Sequence, residues 1–386
     1  MEKLIYDIIN KQYLIRGEDM DFKFYMPTKV LFGKGIVKKS IDEIKNYGSK
    51  AFIITGKRSS KINGSLDDVE SVLKEANIQY IIFDEVEENP SIETVEKAAI
   101  IGRENDVHFI IGIGGGSPID AAKAIGAMIK NNELTGETLF TNRKLESIDI
   151  IAVPTTSGTG TETTQYSILT DHKSETKKNL GQTIFPKLSL VDPTYTMDMG
   201  IEVTRNTAID AFSHIVEGYL NKNATLITDM MVEKALNIWG ECIQSLISGN
   251  INYEVREKLM LSSTIAGMII AQTGTSIPHG MGYALTYFKN IPHGLANGCL
   301  YIEYLKVFKN KERVNNIYKY LGLNNYNELE DILRQLTKIE INVSIKELED
   351  FSKSMSENKA KLKNHPEDIG YEQIFNIYKK SLINSL

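Results

Sequence analysis

The chain has 386 residues, enough for two domains of ordinary size, each burying its own core. Its 42% hydrophobic and 24% charged residues are near globular averages and exclude large-scale disorder. With 44 basic and 50 acidic residues the net charge is −6, and no lysine- or arginine-rich block points to nucleic acid or an anionic membrane surface.

Two cysteines, Cys242 and Cys299, cannot form a disulfide framework, so a reducing cytoplasm is expected. No apolar run approaches the roughly 18 residues of a membrane span. Met1–Arg16 places Leu4, Ile5, Ile8, Ile9 and Tyr13 near one helical face but lacks the apolar core and cleavage site of a signal peptide. Residues 1–20 are treated as an extension without an assigned role.

From residue 50 onward, short β-branched runs alternate with helical patterns. AFIIT (51–55) reads as a strand, LDDVESVLKEAN as a helix and YIIFDEV as a strand. SIETVEKAAIIGREND reads as a helix opened by a Ser cap, with Glu93 taken to complete a capping box. HFIIGI (108–113) is a strand, PIDAAKAIGAMIK a helix with Pro in its first turn, and IDIIAV (148–153) a further strand. Nearly continuous apolar strands separated by helices predict a parallel sheet covered on both faces. This α/β domain is expected over residues 21–199.

Past residue 200 the strand signals fade. NTAIDAFSHIVEGYL, TDMMVEKALNIWGECIQSLI, YEVREKLMLSSTIAGMIIAQTG and ANGCLYIEYLKVF all carry helical spacing of apolar residues. A nearly all-helical second domain is expected over 200–386, with the ligand in the cleft between the two domains.

Three tracts carry chemistry. GIGGGSPID (112–120) follows a predicted strand and opens a predicted helix. Gly114, Gly115 and Gly116 permit close backbone approach, and free amides at Gly116 and Ser117 suit a phosphate or pyrophosphate, with Asp120 at the tail. The usual dinucleotide fingerprint follows the first strand; here the glycines follow the third of the count. PTTSGTGTETTQYS (154–167) sets seven hydroxyl residues between Thr155 and Thr164, on the same sheet edge. The third tract comprises Asp210 and His214, four apart and so on one helix face, with His279 and His293 in PHGMG and PHGLANG. One carboxylate and three imidazoles suit Zn²⁺ or Fe²⁺. Taken alone, the Asp–His pair reads equally as a polar helix face.

In order and spacing, FYMPTKVLFGKG, GGGSPIDAAKAIG, PTTSGTGTE, DAFSHIVEGY and HGMGYALTYFKNIPHG resemble the iron-containing (group III) alcohol dehydrogenases, from about Phe24 to near the C-terminus. ITGKRSSKINGSLDD is similar to the subset containing NADP-using 1,3-propanediol and butanol dehydrogenases. The resemblance implies hydride transfer between a nicotinamide cofactor and an alcohol or aldehyde. It implies metal ligands at Asp210, His214, His279 and His293, a pyrophosphate loop at Gly114–Ser117, and nicotinamide-side threonines at Thr155, Thr156 and Thr159. It implies iron by analogy, although intrinsic affinity favours zinc. The alternatives are a glycerol dehydrogenase-like polyol oxidation and a dehydroquinate synthase-like lyase. The lyase needs basic residues near the metal, and between Asp210 and Gly298 none directly flanks a ligand.

Two positions refine that expectation. Many family members carry a histidine ten residues before the last ligand; Tyr283 stands there, and is expected to shape the pocket rather than act as an essential acid or base. After the first predicted strand, Gly56, Lys57 and Arg58 offer no acid to repel a 2′-phosphate, so NADP(H) is expected over NAD(H). A small-molecule alcohol or aldehyde is the expected partner, and a homodimer the expected assembly.

Overall fold

The computed structural model describes residues 21–383; the amphipathic segment within 1–20 lies outside them. Six strands form one parallel sheet: β1 (Lys29–Phe32), β2 (Lys50–Gly56), β3 (Gln79–Val86), β4 (Phe109–Gly114), β5 (Asp149–Pro154) and β8 (Leu188–Val191). Their spatial order is β1-β8-β5-β4-β2-β3. The remaining strands, β6 (Ile168–Asp171) and β7 (Thr176–Asn179), form a separate antiparallel hairpin.

The continuous apolar runs are explained by coverage on both faces. Phe52, Ile54, Ile110 and Ile150 pack beneath helices α2 (Ile92–Glu104) and α3 (Gly116–Lys130). Ala51, Ile53, Ile111 and Ile151 point the other way, onto α1 (Ser65–Glu75) through Leu66, Val69, Val72 and Leu73. Neighbouring residues of one strand thus serve two cores, as the alternation of a strand requires.

Several expectations are corrected. KVLF forms an edge strand the sequence reading did not anticipate, so the glycine-rich loop follows the fourth strand, not the third. The polar β6–β7 hairpin, SILTDHKSETKKN, shows no apolar alternation and was not expected. The Ser91 cap is present, but the residue three places on is Thr94, whose N–H donates to Ser91 Oγ. Glu87, before the helix, accepts the Ser91 N–H at 2.7 Å, so Glu93 forms no capping box. ANGCLYIEYLKVF is divided into α8 (His293–Gly298) and α9 (Tyr301–Val307).

From Ile201 onward the chain is helical. The elements that matter for the site are α4 (Ile201–Tyr219), α5 (Leu226–Gly240), α6 (Tyr253–Thr273), α7 (Ile277–Lys289), α10 (Ile345–Ser356) and α11 (Lys359–Leu362). Phe212, Trp239, Tyr301 and Met281 lie in their common core. Among the described residues no helix is long and apolar enough to cross a membrane.

Candidate metal centre and dinucleotide cleft

Chain connection β2→β3 runs to one side of β2 in the sheet, and β3→β4 returns to the other. The direction of winding therefore reverses between β2 and β4, and ligands of open α/β sheets bind outside the carboxyl ends of strands at such a point. Gly56 ends β2 and Gly114 ends β4. A cleft of about 1090 Å³ opens there, lined by Gly56, Ser59, Gly115, Gly116 and Ser117 on one side and by Asp210, His279 and His293 on the other.

The glycine loop and the hydroxyl tract form one surface. Gly114 turns with φ +148°, and the Thr155 N–H donates to its carbonyl at 2.8 Å. A Cβ on Gly115 would stand 3.0 Å from Thr156 Oγ1, and one on Gly116 would stand 2.8 Å from Thr159 Cγ2. Only bare backbone fits between α3 and these threonines. No side chain caps α3, so its first amides remain free toward the cleft, where the helix dipole favours an anion. Ser117 Oγ accepts the Asn89 N–H at 3.1 Å and ties in the loop after β3.

Lys123 makes the tract rigid. Its fully buried ammonium donates to the Thr161 carbonyl at 2.8 Å, Thr161 Oγ1 at 2.6 Å and the Tyr166 carbonyl at 2.6 Å. Burial pulls its pKa down to about 8 against the opposing charges of Asp120 and Glu162. Asp120 lines the cleft, but its carboxylate accepts from Thr161 Oγ1 and, at 2.9 Å, from the Ile168 N–H. Its observed work is to hold this tract. Lys57 and Arg58 are exposed and stand outside the cleft lining, whereas Ser59 lies within it.

Asp210 and His214 share the cleft face of α4, as their spacing requires. His279 sits in the first turn of α7 and His293 opens the short α8, so two separate helices bring the later histidines to α4. Asp210 Oδ1 lies 3.7 Å from His279 Nε2 and 3.8 Å from His293 Nε2. Donor atoms of Asp210, His279 and His293 all fall within 4.8 Å of one another. His214 stacks on His279 at 4.5 Å between ring centroids but stands outside that tighter trio.

Two polar atoms of this cluster have no other occupation, while His293 Nε2 lies 3.3 Å from the Asn297 side-chain amide. Asp210 Oδ1 and His279 Nε2 are buried without a hydrogen-bond partner, an arrangement that costs free energy unless something fills it. Two of the three far nitrogens are fixed: His279 Nδ1–H donates to Glu217, and His214 Nδ1 lies 3.3 Å from the Gly158 carbonyl, whereas His293 Nδ1 is buried without a partner. Such bonds select the tautomer whose Nε2 lone pair faces the centre, so the residues present fit a divalent metal. Burial lowers the His214 pKa to about 4 and the His293 pKa to about 3, with Asp210 opposing in each case. Burial also acts to raise the Asp210 pKa, but the surrounding histidines hold it below the usual range.

Sequence reasoning missed Glu217, although its signal was available: it is seven residues after Asp210 and so on the same face of α4. It also missed Lys177 and Lys361, which line the cleft from β7 and α11. No local pattern marks them: Lys177 lies in ETKKN and Lys361 in NKAKLKN, both ordinary polar runs. Tyr283 is where helical spacing from His279 puts it, its ring stacked on that of His293 at 5.8 Å.

A cleft at a sheet's switch point, with a phosphate-type loop on one wall and a carboxylate–imidazole cluster on the other, defines a dinucleotide- and metal-using enzyme. The profile described as "Iron-containing alcohol dehydrogenase" matches residues 27–193, and that described as "Fe-containing alcohol dehydrogenase family, C-terminal" matches 204–382. An NADPH-dependent butanol dehydrogenase of Clostridium saccharobutylicum is 35% identical over 82% of each chain. A sulfoacetaldehyde reductase of Bilophila wadsworthia is 33% identical over 72% of each. The crystal structure of an iron-containing alcohol dehydrogenase from Thermotoga maritima superposes with a TM-score of 0.88 at 40% identity, covering 94% of this chain and 99% of that one. The chain belongs to the iron-containing alcohol dehydrogenase family. Its activity is that of an oxidoreductase interconverting alcohols and their carbonyl products.

Proposed function

We propose that this enzyme reduces short aldehydes to primary alcohols, and catalyses the reverse, with NADP(H) preferred over NAD(H) and a divalent metal held by Asp210, His214, His279 and His293. The observation that carries this reading is the convergence of Asp210 Oδ1 and the His279 and His293 Nε2 atoms, unpaired with one another, in the cleft that also holds the free α3 amides.

When bound, the metal supplies Lewis acidity at the substrate oxygen and the nicotinamide donates or accepts the hydride. The protein's residues position these parts. Amides of Gly116 and Ser117 suit the pyrophosphate, while Thr156 and Thr159 form the wall beside it. Burial raises the Tyr283 phenol well above its ordinary range, so it keeps its proton at neutral pH and forms pocket wall beside His293. At the β2 end, Gly56 offers no carboxylate to repel a 2′-phosphate, and exposed Lys57 and Arg58 adjoin it.

Oxidation of NADPH and NADH with butyraldehyde, by protein loaded with Fe²⁺ or Zn²⁺ and by metal-free protein, tests the reading. Metal-dependent turnover with better efficiency on NADPH is expected, and better efficiency on NADH would overturn the cofactor preference. Asp210→Ala and His293→Ala should each lose metal and turnover together while keeping their circular dichroism. A variant with full metal content and turnover would overturn the ligand set.

A further inference from the structure

Lys361 enters the cleft on α11 from a part of the chain far from the metal cluster. Its stem lies against α7 at Gly280, the residue after His279: a Cβ there would stand 3.2 Å from Lys361 Cγ. Its ammonium donates to Thr275 Oγ1 and stands 5.3 Å from the centroid of the Tyr283 ring. The opposite contact of that ring is His293. One aromatic ring therefore separates this cation from the metal cluster.

The ammonium has no carboxylate within 4.0 Å among the described residues. Glu217, the acid that acts on it electrostatically, is engaged by the Ser276 N–H, His279 Nδ1–H and Tyr301 Oη–H. Lys361 is also held in place. Its neighbour Asn364 donates to the Thr275 carbonyl at 2.8 Å, and the Asn364 carbonyl accepts the Lys222 N–H at 2.8 Å. A half-buried cation fixed in a cleft without a counter-charge is costly unless an anion joins it. Burial draws its pKa to about 8, with Glu217 opposing, which leaves it mostly charged at neutral pH.

We propose that Lys361 is a specificity residue that binds an anionic group at the far end of the substrate, and that the enzyme's substrates are short aldehydes and alcohols bearing one carboxylate or sulfonate. The inference rests on the activity proposed above and goes beyond it by naming the charge of the substrate. The Lys361 ammonium supplies one positive charge, matched by a singly charged group, and an uncharged aldehyde leaves it without a counter-charge; Lys177, also in the cleft, donates to Asn89 Oδ1 at 2.7 Å. Sites with a buried polar group discriminate most strongly against analogues that fail to pair it.

Three aldehydes test this with metal-loaded enzyme and NADPH: 4-oxobutanoate, sulfoacetaldehyde and uncharged butyraldehyde. At least one anionic aldehyde should exceed butyraldehyde in kcat/KM by about tenfold or more, and the better of the two identifies the group. In Lys361→Met that ratio should fall by about 30-fold, chiefly through KM. Calorimetric titration of metal-free protein with 4-hydroxybutanoate and with 2-hydroxyethanesulfonate supplies a readout independent of turnover. At least one of these should bind wild type about tenfold more tightly than Lys361→Met. Preference of wild type for butyraldehyde, or an unchanged ratio in Lys361→Met, overturns the proposal. Lys361-dependent anion binding without turnover of any aldehyde would leave this inference standing and remove the activity on which it was placed. Equal binding by both proteins would overturn the inference alone.

Discussion

Glu217 accepts the Nδ1 proton of His279 from a helix away, and so sets which nitrogen of that histidine faces the metal cluster. The carboxylate is fully buried and also accepts from the Ser276 N–H and from Tyr301 Oη at 2.8 Å. Burial alone would raise its pKa, but the His279 charge and these bonds bring it below the ordinary value. Glu217→Gln keeps the shape and removes the charge. Metal affinity in this variant should fall by about 10–100-fold with little change in circular dichroism, the size expected when a carboxylate behind a ligating histidine is lost. Competition with a chromophoric chelator measures it; unchanged affinity would remove Glu217 from the metal's support.

Metal uptake should release about one proton. Burial opposes the charged form of His279, but Glu217 and Asp210 overcome it and raise its pKa above 6.5. His214 at about 4 and His293 at about 3 are already neutral above pH 5, and Asp210 is already ionised. Below the raised His279 pKa, a proton must leave before Nε2 can bind, so apparent affinity rises about tenfold per pH unit and flattens above that pKa. Calorimetry in two buffers of different ionisation enthalpy counts the protons. A count near zero or near three at pH 6 would contradict the assignment.

Cofactor choice should respond to Gly56. A Cβ added there meets the Val86 carbonyl at 3.3 Å, a contact that small adjustments relieve. Gly56→Asp should raise the KM for NADPH through repulsion of the 2′-phosphate and leave that for NADH nearly unchanged. Steady-state kinetics with both cofactors decide it. Equal effects on the two would move the ribose away from Gly56, toward the cleft wall that carries Glu88.

Tyr283→Phe should alter turnover by less than about tenfold, against the roughly 10²–10⁴ lost with an essential acid or base. The phenol is held protonated by burial, and its ring contact with His293 survives the loss of the hydroxyl. A fall of about 10³ with metal content and cofactor binding intact would make the hydroxyl a proton carrier.

Local chemistry made much of this protein legible. Runs such as FIIGI read as strands covered on both sides, and the spacing of Asp210 and His214 places them on one helix face by local geometry alone. The glycines at 114–116 announced close backbone approach, which Thr156 and Thr159 now explain. The polar β6–β7 hairpin was silent, because its strands bury no continuous apolar face and are defined by pairing with each other. Period and composition report only what a residue does with its near neighbours in sequence.

The tertiary structure decided what depended on distant segments meeting. That Asp120 serves Thr161 and Ile168, that Lys57 stays outside the cleft, and that Glu217 reaches His279 follow from packing between elements. Lys361 is the clearest instance. In the sequence it is one lysine in the polar run NKAKLKN, indistinguishable from a solvated one. Only the docking of α11 against Gly280 and Thr275 places its charge beside Tyr283 without a carboxylate, because burial and counter-charge are properties of the assembled cleft rather than of the chain.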